Sequence, residues 1–218
     1  MRRRTLDILF SAGGMALAAL LVVLGVVMTS NADFSKNYVR DQLSQQNITF
    51  KAADELTDEE KARPCIVENA GKALTTGKQA ECYANDFIGL HLESTADGLT
   101  YAGIGVPQGE ARTKLAAAKA AGDTALATEL QTQLTDLTSK RETLFKGETL
   151  RGLLLTSFGF SVLGEKAAQA AIVAYIGAGL LALLALFGFI HAFVTPRSKG
   201  FAVAVPDTVE EVERMARV

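Results

Sequence analysis

The chain has 218 residues, a formal net charge of −2 and a pI near 5.8, so it carries no basic field for nucleic acid. Its 49% hydrophobic content is ordinary in total but gathered into two uncharged runs. There is no Trp, so an aromatic belt at a membrane interface would rest on Tyr and Phe.

The first run, Ile8 to Ala32, is uncharged. It exceeds the roughly 20 residues that cross about 30 Å of hydrocarbon as a helix. We read an N-terminal segment at 1–7 and a transmembrane helix at 8–29. Arg2, Arg3 and Arg4, followed by an apolar run and Ser30-Asn31-Ala32, also fit a cleaved signal peptide. The run is longer than the roughly 7–15 apolar residues of such a signal, so it reads as a retained span.

An outer domain is predicted over 33–166. Phe34, Tyr38, Val39 and Leu43 have helical spacing and extend the first helix outward, until Asn47-Ile48-Thr49-Phe50 breaks it. Asn47-Ile48-Thr49 is also a glycosylation sequon. Thr57 to Glu60 has the capping-box pattern, and its helix ends by Pro64 because a residue before proline avoids the helical region. Helices are expected at 66–74 and 78–94, the latter with an apolar face of Ala80, Tyr83, Phe87 and Leu90. Turn chemistry fills 95–107. An Ala-rich helical stretch follows, interrupted at Gly122-Asp123, with Asp123 capping its second half. Leu126, Leu130, Leu134, Leu137 and Leu144 then mark one buried stripe. About three heptads are too few to favour a dimerising coiled coil over packing on neighbours.

Residues 152–164 are uncharged but amount to only about 20 Å of helix, too short to cross a bilayer. Leu150, Leu153, Leu154, Phe158 and Val162 would line one face. We expect an interfacial or core helix coupling the outer domain to the bilayer, set off from the next span by a polar break at Glu165-Lys166. The second uncharged run, Ala167 to Pro196, predicts a transmembrane helix at 169–194 and a tail at 195–218. Ala170, Ala174, Ala178 and Ala182 repeat every fourth residue beside Gly177 and Gly179, a helix-packing or partner face. In the tail, Val209, Val212 and Met215 form a small apolar face behind Asp207 and Glu210.

Arg2, Arg3 and Arg4 precede the first span and Arg197 and Lys199 follow the second. Both termini are therefore expected in the cytoplasm and 33–166 outside the plasma membrane. That outer segment holds 15 Lys and Arg against 19 Asp and Glu, a net of −4. It also holds both cysteines, Cys65 and Cys82, which in an oxidising compartment read as a disulfide.

No GxSxG elbow, phosphate loop or HExxH is present. The two histidines, His91 and His191, fall on opposite sides of the predicted bilayer, so one chain cannot place both on a single metal. A zinc site from Cys65, Cys82 and His91 would need a carboxylate as a further ligand. Neither span has an ionisable residue near its middle, which argues against a transporter. We therefore expect no catalytic, cofactor-binding or metal-binding residues.

The segments TTGKQAECYANDFIGLHL and FKGETLRGLLLTSFGFSVLG, each tied to a membrane span, resemble a family of small two-span actinobacterial membrane proteins. Some members of that family are labelled aromatic ring-opening dioxygenases, but the family's function is undetermined. The resemblance implies an N-terminal span, a helical outer domain, a second span, an actinobacterial plasma membrane and no eukaryotic-type use of Asn47. The resemblance bears on architecture and host class only, and the functional expectation rests on the residues. We expect an all-α membrane protein that contacts lipid and a membrane-protein partner as a non-enzymatic accessory or structural subunit. The alternative is an extracytoplasmic sensor or ligand-binding module, which would have to signal through a partner.

Overall fold

The computed structural model describes residues 3–194. The tail face at 207–215 and the flanking Arg2, Arg197 and Lys199 lie outside the described residues. Within them the chain is helical, with a single isolated bridge between Thr49 and Ala73. The elements are α1 (Arg3–Gln45), α2 (Asp58–Lys61), α3 (Pro64–Asn69), α4 (Gly77–Cys82), α5 (Gly89–Thr95), α6 (Gly105–Ala120) and α7 (Thr124–Val194). A π-helical turn, Tyr83–Ile88, joins α4 to α5. The described residues divide into two compact units, 3–30 with 168–194, and 31–167.

The first unit pairs the two apolar runs. Both lie on helices long and apolar enough to cross a membrane. On α1 the inward positions are Ser11, Ala18 and Gly25, with Asp7, Gly14, Leu21 and Met28 half-buried between them. On α7 they are Ala171, Ala174, Ala178, Ala185 and Ala192, with Leu181 and Gly188 half-buried between them. Alternating steps of three and four make each series a heptad seam. The contacts run antiparallel. Ser11 meets Gly188, Gly14 meets Ala185, Leu21 meets Gly177 and Gly25 meets the Tyr175 ring. The buried seam residues are all Gly, Ala or Ser, which lets two helices pack closely. A polar clasp closes one end, where His191 Nδ1 lies 3.0 Å from Asp7 Oδ2 and Arg4 covers the Phe193 ring. Near the other end Thr29 Oγ1 is 3.3 Å from the Tyr175 hydroxyl.

The second unit holds the hydrophobic core. Val39 and Leu43 of α1, Leu144 and Leu154 of α7, and the short helices' Ile66, Ala80, Ala84, Ile88 and Leu92 converge there with Phe50, Leu74 and Ile104. The capping box at Thr57 forms as expected: Thr57 Oγ1 accepts from the Glu60 N–H and the Glu60 carboxylate accepts from the Thr57 N–H. Asn47 takes a positive φ of 52° where α1 stops. Asp123 Oδ1 accepts from the Leu126 N–H and caps α7 after a turn at Gly122. α6 and the start of α7 form a hairpin in which Leu115 and Ala118 pack on Leu130, with Leu134 beside them.

Two expectations need correction. Helix 66–74 stops at Asn69, because Gly71 takes a φ of 70° and the chain turns into the Thr49–Ala73 bridge. Glu165 and Lys166 do not break the chain's course: α7 passes through both without interruption. Two adjacent charged residues are good helix formers and can face away from the packed side, so polarity alone does not end a helix.

Candidate functional site

The segment 150–163 is where the second unit presents apolar surface. Leu154 is 3% exposed and belongs to the core. Its neighbour Leu153 is 63% exposed and Leu163 65%. Leu150 and Phe160 are exposed too, whereas Phe158 and Val162 are half-buried. The expected single face is thus shared between core and surface. On α1, Phe34 and Tyr38 are exposed as well. Their rings lie 5.7 Å apart, and the Tyr38 ring lies 6.2 Å from Phe160. Tyr38 and Phe160 border a mainly apolar groove of about 290 Å³, lined also by Leu43, Leu150 and Leu153. The Ser35 hydroxyl donates to the Phe160 carbonyl and fixes α1 against α7 at this level.

Sequence reasoning found Leu150 and Leu153 but not their aromatic companions as one surface. Phe34 and Tyr38 were legible as a helical pair. What the sequence does not contain is which turn of α7 lies opposite them.

Behind the groove, α4 is seated directly on α7. A Cβ on Gly77 would collide with Ser161 and lie 3.3 Å from the Phe158 Cα, so glycine is required at this crossing. The disulfide joins Cys65 of α3 to Cys82 of α4, with Cα atoms 6.0 Å apart. An Asp86 carboxylate oxygen lies 3.0 Å from Cys65 Sγ, and the Arg63 guanidinium is 3.6 Å from the same carboxylate. Cys65, Cys82 and Asp86 place three metal-donor atoms within 4.8 Å of one another. The two sulfurs are bonded to each other, so neither is a thiolate donor in this state. A polar cleft of about 530 Å³ opens beside the bridge, lined by Glu68, Lys78, Glu81 and Asp86.

His91 does not turn toward the cysteines. Its Nδ1 is 2.7 Å from the Phe87 carbonyl and its Nε2 is 3.4 Å from a Glu60 oxygen. Glu60 is fully buried. Lys51 Nζ donates to its Oε1 at 2.8 Å and the Thr57 N–H to its Oε2 at 2.9 Å. Burial pushes this carboxyl up. The Lys51 hydrogen bond, the Thr57 N–H and the nearby charges of Lys51 and His91 outweigh it, and the balance lies below the ordinary value. Burial, reinforced by the Glu60 charge, raises the neighbouring Tyr83 hydroxyl. The capping pattern marked Glu60, but not that Lys51 and His91 would converge on it.

Of the residues expected on the second span's packing face, Ala174 and Ala178 lie in the seam. Gly177 and Ala182 are half-buried at its edges, and Ala170 and Gly179 face outward. A strict fourth-residue repeat drifts around a helix of 3.6 residues per turn, whereas a seam needs alternating steps of three and four.

No family model, curated protein or solved structure matches this chain.

Proposed function

We propose that this chain is a non-enzymatic accessory or structural subunit of a larger plasma-membrane assembly, holding a helical outer domain against a partner. One observation carries the reading. The exposed apolar residues Leu150, Leu153, Phe160 and Leu163 precede Glu165 and Lys166 on α7, and the apolar run follows them. From Ala167 to Val194 that run already corresponds to about 42 Å of helix, more than the roughly 30 Å of hydrocarbon. The earlier residues are left without acyl chains to cover them. An apolar patch beside aromatic rings on a translocated domain is what protein–protein contact requires.

The antiparallel seam supports both termini lying on one side of the membrane, and the basic flanks support that side being the cytoplasm. In this reading the small-residue seam is used up by the two spans themselves, so partner contact falls to the outer strip and the outward faces of the spans. A second reading, an extracytoplasmic ligand-binding module, draws support from the clefts of the outer unit. Native mass spectrometry of the protein purified at natural abundance in a gentle detergent separates the two. The subunit reading expects a stoichiometric heteromeric complex. A lone monomer or homodimer would overturn it.

A further inference from the structure

The helical hairpin of the outer unit carries a cleft of about 560 Å³, lined by Tyr101, Gln108, Arg141, Phe145 and Lys146 among others. Arg141 is distinctive among the cations of α7. Lys140 pairs with Asp136, Lys146 with Glu142 and Arg151 with Glu148. Arg141 has no carboxylate partner among the described residues. It is instead held in place by neutral groups. Its Nη1 donates to Gln108 Oε1 at 2.9 Å, and Gln108 Nε2 donates to Thr138 Oγ1 at 2.9 Å. The Thr138 hydroxyl in turn donates to the Leu134 carbonyl, which anchors the chain of bonds to the helix backbone. Gln108 is itself buried, at 6% exposure. The guanidinium carbon lies over the Tyr101 ring, 4.6 Å from its centroid. The Arg141 Nε is buried without a partner, and no ion pair compensates the group's charge among the described residues.

A fixed, unneutralised guanidinium at the wall of a cleft is a pre-organised anion receptor. Gln108 takes one of its N–H donors and Nε is enclosed, so the Nη2 pair and the second Nη1 donor remain for a ligand. Lys146 and Glu142 pair at 3.8 Å and offset each other, so the lining's net charge is the single positive charge of Arg141. The rest of the wall is aromatic: Tyr101 is 41% and Phe145 57% exposed, with ring centroids 5.8 Å apart. One positive charge beside exposed aromatic surface matches a singly charged anion with an apolar body.

We propose that this cleft binds small organic monocarboxylates, with the carboxylate on Arg141 and the apolar body against Tyr101 and Phe145. The site is independent of the docking strip, and its failure would leave the subunit reading intact. The test is calorimetric titration of the full chain in nanodiscs with hexanoate, with acetate as the body-less control and protein-free nanodiscs as the blank. Expected is saturable hexanoate binding in the millimolar range and weaker acetate binding. Arg141→Gln weakens hexanoate by about tenfold or more, the loss of one charge-assisted contact. Phe145→Ala truncates an exposed ring, so the fold is spared. It should weaken hexanoate several-fold and leave acetate unchanged. Glu142→Gln removes the carboxylate that lines the cleft and should tighten both ligands. The proposal is overturned by the absence of saturable heat up to about 50 mM, by hexanoate binding that Arg141→Gln leaves unchanged, or by acetate and hexanoate binding alike.

Discussion

At the scale of the residue, Glu60 shows how a cap becomes a core. The carboxylate belongs to a capping box that the sequence displays openly, yet it is fully buried and salt-bridged to Lys51. Its folded-state value is depressed, so its contribution is complete above the ordinary carboxylate range and is lost as pH falls through the depressed value. Thermal unfolding followed from neutral to strongly acidic pH should show a fall in Tm in that acid window. Glu60→Gln should flatten this fall while lowering the neutral-pH Tm, and an acid limb unchanged by the substitution would refute the assignment. Lys51→Met leaves the buried carboxylate with fewer partners and should cost about 3 kcal/mol, read by denaturant unfolding. The disulfide is the residue-scale feature most legible beforehand, because two cysteines in one predicted compartment allow one pairing. Opening it with Cys65→Ser plus Cys82→Ser should cost about 3 kcal/mol by loop entropy. The same loss should appear on adding reductant to the native protein.

Among the elements, α7 separates neighbouring residues by role. Leu154→Ala removes a core side chain and should cost about 3 kcal/mol. Leu153→Ala, one position earlier but 63% exposed, should leave Tm unchanged and weaken only partner association. In the seam, Gly25→Leu must displace the Tyr175 ring, whereas Gly13 has open space around it. Thermal unfolding in detergent should therefore show Gly25→Leu destabilised by about 1–3 kcal/mol and Gly13→Leu unaffected. The elements also show where sequence reasoning fails. The face expected on 78–94 was Ala80, Tyr83, Phe87 and Leu90. Ala80 is buried, but beyond it the deeply buried positions are Cys82, Ala84, Ile88 and Leu92, with Tyr83, Phe87 and Leu90 half-buried. The π-helical turn at Tyr83–Ile88 adds a residue to the local repeat and rotates the following face, which a 3.6-residue template does not anticipate. The spans were legible for the opposite reason: uncharged length needs no register.

At the scale of the whole molecule, two helices long and apolar enough to cross a membrane and a group of short ones make up the described residues. The half-length apolar segment ahead of the second span is partly core, through Leu154, and partly surface, through Leu153 and Leu163. Its surface part is the strip assigned to a partner. The most direct test compares wild type with Leu153→Glu plus Phe160→Glu by native mass spectrometry from the native membrane. Both side chains are substantially exposed, so the double variant should keep the wild-type Tm. The account predicts a stoichiometric heteromeric complex for the wild type and the uncomplexed chain for the variant. A wild type found alone or as a homodimer, or a complex that the two charges leave intact, would contradict it.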